Sequence, residues 1–167
     1  MKLRFFRNLV FAALLIGFVA SCIDDNGSTY IPPTHEEEMA LLNEYLDTLQ
    51  NRGLDIDTTE LGVYYIVDSI GEGAFPLVGD TCEVKYTGFF IDGSIFDTSG
   101  TNTFEFILGS ENLIPGWNDG MKVINKGAFV YLLIPSELAY GSTGYSSVPP
   151  NTTIIFNIEM VDIKQGY

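Results

Sequence analysis

The chain has 167 residues, 46% of them hydrophobic and 18% charged, with 22 acidic side chains against eight basic ones and a net charge of −14. That is one domain's worth of chain plus an extension, and so acidic a surface repels nucleic acid and anionic lipid headgroups. With two cysteines and one histidine it is also a poor candidate for a disulfide scaffold or a histidine-based metal site.

The first segment reads as targeting sequence. Lys2, Arg4 and Arg7 form a positive n-region and Leu9 to Ala20 an apolar h-region, a run too short and one-sided for a membrane span. It ends in Val19-Ala20-Ser21-Cys22, small residues directly before a cysteine. Residues 1–21 thus resemble a bacterial lipoprotein signal, with Cys22 lipidated as the new N-terminus; the alternative is an ordinary secretory peptide cut near Ser21 with Cys22 free. Removal leaves 146 residues, 22–167, and loss of Lys2, Arg4 and Arg7 takes the net charge from −14 to −17. Membrane association would then come from lipid on Cys22 and not from basic patches. The expected location is the cell envelope, at the outer membrane. Asp24-Asp25 resembles acidic signals of some surface-exported lipoproteins but equally suits a solvated linker, so periplasmic and surface orientations both stay open. Cys82, the one cysteine left, begins a strand-like run and reads as a small buried hydrophobe, with a reactive thiol as the alternative.

Residues 22–33 form a polar tether with Pro32-Pro33 at its end. Thr34 and Glu37 fit a capping box, and a helix is expected from there to Arg52-Gly53, within an N-terminal extension spanning 34–60. Met39, Leu42, Tyr45, Leu46 and Leu49 share one side, while Glu38, Glu44 and Asp47 read as solvated. Such a helix either lies on its own domain or serves as a dimerisation or substrate-holding arm; a monomer is expected, with a dimer through this helix left open. Gly62–Ile70, Cys82–Phe90, a return strand carrying Phe96 after the Ile91-Asp92-Gly93-Ser94 turn, Thr103–Leu108, Gly127–Pro135 and Thr153–Ile163 look extended. Leu113–Val123 is helical instead, with Pro115 suited to a first turn. These elements make an α+β domain.

Between Val84 and Phe156 lies an ordered set of aromatics, Tyr86, Phe96, Phe104, Trp117, Tyr140 and Phe156, with Asp97 inside it. Such a set describes a binding pocket and not a hydrolytic centre. VKYTG, G-x-x-F-D-x-S, Ile-Pro-Gly-Trp and AYG occur in order, and together they resemble the FK506-binding family of peptidyl-prolyl cis/trans isomerases over about Leu61 to Lys164. The resemblance implies an isomerase domain at 61–167: an antiparallel half-barrel sheet of about five strands around one short central helix. Prolyl isomerisation needs neither nucleophile, metal nor cofactor. The X–Pro bond must twist over a barrier near ~20 kcal/mol, losing resonance and charge separation, and a dry cradle fitted to the twisted form lowers that barrier.

By the same resemblance Trp117 forms the floor under the proline ring. Tyr86, Phe104 and Phe156 close its sides, and Leu113 and Ile114 form the rim. The Ile114 N–H holds a substrate carbonyl, Tyr140 donates a hydroxyl hydrogen bond, and Phe96 and Asp97 face the twisting bond. Ala139–Pro150 is the loop arching over the site, bringing Tyr145 and Val148 to the substrate; Phe106 is expected in the core. Three features depart from the best-known small members: Tyr145 replaces a histidine, the segment before Val148 is one residue shorter, and Pro115 replaces a basic residue. Expected partners are proline-containing polypeptides and FK506-like macrolides.

Other chemistries find little support. His35 is far in sequence from Asp97 and from any plausible serine, neither cysteine has a histidine near it, and His35-Glu36-Glu37 lacks the second histidine of a zinc-protease motif. Gly141–Gly144 has no lysine for a phosphate loop, and the acids at 24–25 and 36–38 lack calcium-loop spacing and read as solvated charge. The competing reading is a non-catalytic envelope lipoprotein that uses the same fold as a peptide-binding chaperone or assembly scaffold.

Overall fold

The computed structural model describes residues 31–166, so the expected signal segment, Cys22, Asp24-Asp25 and most of the tether lie outside the described residues. In chain order the elements are α1 (His35–Asn51), β1 (Asp57–Thr58), β2 (Tyr64–Ser69), β3 (Thr81–Phe89), β4 (Ile95–Thr98), β5 (Phe104–Ile107), α2 (Pro115–Met121), β6 (Phe129–Ile134), a 3-10 turn at Ser136–Leu138, and β7 (Ile154–Lys164). The strands form a single antiparallel sheet in the order β1-β2-β6-β7-β3-β4, and β5 also pairs with β3. β4 and β5 share one edge of β3: β5 takes Thr81 to Val84, and β4 takes Thr87 to Phe89. The sheet does not close into a barrel, and among the described residues it has seven strands where the resemblance implied about five. Register shifts in β3 against β7 and β4, and in β2 against β6, mark bulges that bend it around α2.

Alternation along the strands explains why both faces are covered. Cys82 and Val84 on β3, Val130, Leu132 and Ile134 on β6, and Ile154, Phe156, Ile158 and Met160 on β7 are buried together with Trp117 and Met121 of α2. The out-of-phase residues Phe89, Tyr131, Leu133 and Ile155, with Ile66, turn to the other face and meet α1. α2 can sit tightly on β6 because Gly116 and Gly120 carry no Cβ; one added there would run into Ile134 and Leu132.

The Thr34–Glu37 capping box forms as the sequence predicts, with the Thr34 N–H donating to the Glu37 carboxylate (2.8 Å) and the Glu37 N–H to the Thr34 hydroxyl (3.2 Å). Leu42, Leu46 and Leu49 are buried on the sheet, each contributing about 1.5–3 kcal/mol of transfer free energy. The helix therefore lies on its own domain, with its apolar face used within the chain. Glu38 corrects the sequence reading: it is 3% exposed, not solvated, because Ser136 and Thr153 close over its carboxylate. Cys82 is fully buried and free. Burial, with Asp80 nearby, pushes its thiol up to about 11, which removes the thiolate a reactive cysteine needs. No helix among the described residues is long and apolar enough to cross a membrane.

Candidate functional site: an aromatic cradle

Trp117, in the first turns of α2, is 4% exposed and forms the centre of a cluster of rings. Its indole lies 4.9 Å from Phe156, 5.5 Å from Tyr86, 5.7 Å from Phe106 and 6.2 Å from Phe104 between ring centroids, every contact edge-on. Tyr86 meets Phe104 at 5.8 Å and Phe156 at 5.7 Å, so the floor and its neighbours brace one another. Phe96 extends the wall, 5.5 Å from Phe156 and 5.0 Å from Phe90. The strand pairing that brings these rings together runs through Gly88, opposite Asp97 on one side and Phe156 on the other. A Cβ at Gly88 would come to 2.7 Å from Phe96 Cζ and 2.9 Å from Phe156 Cε1, so the wall requires a glycine there.

The polar part of the cradle is small. Tyr86 donates its hydroxyl to Asp97 Oδ2 at 2.8 Å, and the Thr98 N–H donates to Asp97 Oδ1 at 2.8 Å, which orients the exposed carboxylate. Burial first, and then the Asp97 carboxylate, raise the Tyr86 phenol well above its ordinary range. Burial and Asp97 also raise Tyr140. Both hydroxyls therefore stay protonated near neutral pH and act as donors. Tyr140 stacks on exposed Tyr145 at 5.4 Å, and its hydroxyl feels the Asp97 charge but makes no hydrogen bond among the described residues. The Ile114 N–H, at the N-cap of α2, makes no hydrogen bond within the described residues. Nε1 of Trp117 is buried without a hydrogen-bond partner among the described residues.

The loop between β6 and β7 carries Tyr140, Tyr145 and Val148. Tyr145 and Val148 exchange backbone hydrogen bonds of 2.9 Å, and Val148 is buried in the same core as Trp117. Leu113, Ile114 and Tyr140 are half-buried against that core. The sequence-predicted residues Tyr86, Phe96, Phe104, Leu113, Ile114, Trp117, Tyr140, Val148 and Phe156 thus belong to one cluster, with Asp97 and Tyr145 on its rim. Phe106, expected only in the core, also touches the Trp117 ring.

Supporting residues were not singled out from the sequence. Ser99 accepts from the Tyr86 N–H at 3.0 Å and its own N–H donates to the Tyr86 carbonyl at 3.0 Å, wrapping the turn after Asp97 around Tyr86. Asn118 accepts from the Gly109 N–H (2.8 Å) and donates to the Ser110 carbonyl (2.9 Å), tying α2 to the loop that presents Leu113 and Ile114. The serine was visible in the G-x-x-F-D-x-S motif. The asparagine had no signal beyond its place one residue after Trp117.

Comparison with known proteins gives a consistent result. The family model for FKBP-type peptidyl-prolyl cis-trans isomerase matches residues 73–161. FKBP-type peptidyl-prolyl cis-trans isomerase FkpA of Escherichia coli K12 is 41% identical over 109 residues, 65% of this chain and 40% of that protein. The FKBP-type 22 kDa peptidyl-prolyl cis-trans isomerase of the same organism is 38% identical over 109 residues, 65% of this chain and 53% of the relative. The chain therefore spans about half or less of the length of these relatives. The crystal structure of FkpA from Escherichia coli superposes with a TM-score of 0.68 at 37% identity, covering 77% of this chain and 60% of that one. A peptidyl-prolyl cis-trans isomerase from Pseudomonas syringae pv. tomato gives a TM-score of 0.66 at 29% identity, covering 82% of this chain and all of that one.

Proposed function

The chain belongs to the FKBP-type peptidyl-prolyl cis-trans isomerases, and from that premise we propose that it accelerates cis/trans exchange of X–Pro bonds in exported polypeptides. The observation that carries the reading is the ring cluster centred on Trp117, with the Ile114 N–H and the Tyr140 hydroxyl beside it making no hydrogen bond among the described residues. A proline ring on the Trp117 face, between Tyr86, Phe104 and Phe156, loses its hydration shell. Leu113 and Ile114 line the rim, and the Ile114 N–H holds a carbonyl. The imide then sits beside Phe96 and Asp97, in surroundings of low dielectric. The planar ground state, with its charge separation, is less well accommodated there than the twisted form, and that difference lowers the barrier of about 20 kcal/mol. Asp97 moves no proton in this scheme: its oxygens are held by Tyr86 and Thr98, and it acts as a fixed charge beside the rotating bond. Tyr140 anchors the peptide with its hydroxyl, and Tyr145 and Val148 contact residues flanking the proline. FK506-like macrolides would compete for the same cradle.

The proposal extends to the ends of the chain: a lipoprotein signal at 1–21, lipid on Cys22, a tether at 22–33, a helical extension at 34–60 and the isomerase domain at 61–167, in the cell envelope. It is supported by the Val19-Ala20-Ser21-Cys22 pattern.

The test is NMR exchange spectroscopy on peptides varying the residue before proline, using protein starting after Cys22, with an Asp97→Ala, Trp117→Leu double variant as control. Exchange accelerated by the unmodified protein alone is the expected outcome. Folded protein that accelerates no peptide in the panel refutes the catalytic reading and leaves peptide holding through the same cradle.

A further inference from the structure

Glu38 lies one helical turn before Leu42 on α1, and its carboxylate is buried. Such a group is tolerated only when its oxygens are engaged. Oε1 accepts from the Ser136 N–H at 2.7 Å and the Thr153 hydroxyl at 2.8 Å, and Oε2 accepts from the Ser136 hydroxyl. These donors are 98 and 115 residues away in sequence, and they are the two feet of one loop. Ser136 follows β6, and Thr153 precedes β7. The same helix entrance holds the loop a third time, where Asn151 Nδ2 donates to the Pro33 carbonyl at 2.7 Å. His35, half exposed, comes to 3.5 Å from the Glu38 carboxylate at the edge of this cluster.

Between the feet stand Tyr140, Tyr145 and Val148. The clamp reaches them through a short chain of backbone bonds: the Gly141 N–H donates to the Ser136 carbonyl at 2.8 Å, and the Asn151 N–H to the Gly141 carbonyl at 2.9 Å. Gly141 is adjacent to Tyr140 and adopts a left-handed φ of 61°, so the tyrosine's direction depends on where this turn is held. Loops with few anchors sample many conformations, and fixing both ends on one rigid helix removes most of that freedom. Simple stabilisation of the helix would not require all three donors to come from one loop.

We propose that Glu38 is a positioning residue of the substrate site: through Ser136 and Thr153, α1 sets the placement of the 136–153 loop and so of the Tyr140 hydroxyl. As a statement about substrate the proposal rests on the isomerase reading; as a statement about the loop it stands apart from it. The extension outside the family-matched residues thereby becomes part of the site, acting through the loop without touching the peptide.

The experiment compares unmodified protein, Glu38→Ala and Glu38→Gln by amide hydrogen exchange and by isomerisation kinetics over a range of peptide concentrations. In Glu38→Ala, exchange at Gly141, Tyr145 and Val148 should quicken about tenfold while Val84, Leu132 and Ile158 keep their protection. KM should rise about tenfold with little change in kcat, as expected for a displaced anchor. Glu38→Gln, which keeps an acceptor oxygen and the side-chain volume, should recover most of both. Unchanged loop exchange, or quickening spread evenly over core and loop with KM unaltered, would overturn the proposal. Should Glu38→Ala fail to fold, Ser136→Ala and Thr153→Val, each removing one donor, carry the same comparison. Absence of isomerisation in unmodified protein would refute the isomerase reading, and the amide-exchange arm would still decide the clamp.

Discussion

Gly88→Ala tests the wall of the cradle with a single methyl group. Gly88 is buried in β3, between Asp97 of β4 and Phe156 of β7, and its φ is not in the left-handed region, so alanine meets no backbone penalty there. Relief of glycine's entropy cost favours alanine by about 0.5–1 kcal/mol. Against that, the new Cβ would lie 2.7 Å from Phe96 and 2.9 Å from Phe156, where carbon contacts ordinarily sit near 3.5–4 Å. The rings must retreat by nearly 1 Å. Phe156 is 4% exposed and has nowhere to go, so overpacking of about 1–3 kcal/mol is expected. The net loss is then about 0.5–2 kcal/mol, or roughly 2–8 °C in thermal midpoint for a domain of this size. Activity should suffer more than stability, because displacing wall groups by about 1 Å lowers catalysis by up to about 100-fold. Near-ultraviolet circular dichroism on heating gives the first quantity and NMR exchange spectroscopy the second. A variant with unaltered midpoint and unaltered isomerisation would refute the argument that these two rings must close over position 88.

Two further outcomes concern buried polar groups. Cys82, with its thiol raised to about 11, should resist iodoacetamide at pH 8, where only about a thousandth of it is thiolate even before its burial is considered, and should label rapidly in denaturant; mass spectrometry reads both. Asp119, on α2, is buried, which alone would raise its pKa, but hydrogen bonds from Thr59, the Leu61 N–H and Lys122 outweigh burial and hold it below the usual carboxylate range. A depressed folded pKa adds stability above the unfolded value of about 3.9, lost as pH falls through the folded value. The stability gap between unmodified protein and Asp119→Asn should therefore be constant from pH 8 to about pH 5 and shrink below pH 4 in urea titrations. A gap that widens in acid would refute the assignment.

Much of this arrangement was legible because it is local. The capping box, the leucine stripe of α1, Pro115 at the start of α2 and the alternating strands each follow from neighbours a few residues apart. The ordered aromatics gave the cradle by resemblance, and the structure brings them into one cluster. β1 was missed because two exposed residues, Asp57 and Thr58, carry no alternation to read. Glu38 was misread for a different reason. Its helical position falls on the apolar stripe, with Leu42 four residues on, but a carboxylate there signals solvent unless distant donors are known. Those donors, Ser136 and Thr153, sit in loops with no sequence mark of their purpose. Asn118 was likewise invisible as a support, and Gly88 stood in the VKYTG motif without its role showing, since both roles depend on rings and carbonyls brought near only by the fold.

Trp117 is the only tryptophan in the chain, and it stands at the centre of the cradle with its indole nitrogen unpartnered among the described residues. Near-ultraviolet excitation at the red edge, where tyrosine does not absorb, therefore interrogates one place in the molecule. Emission from an indole in so apolar a setting is blue, and under the proposed function a peptide laid against its face would alter colour and lifetime at once. On the proposed function the protein would carry its own optical reporter of occupancy, in the spot where a chemist would attach a dye, and affinities for unlabelled peptides could be read from the native chain.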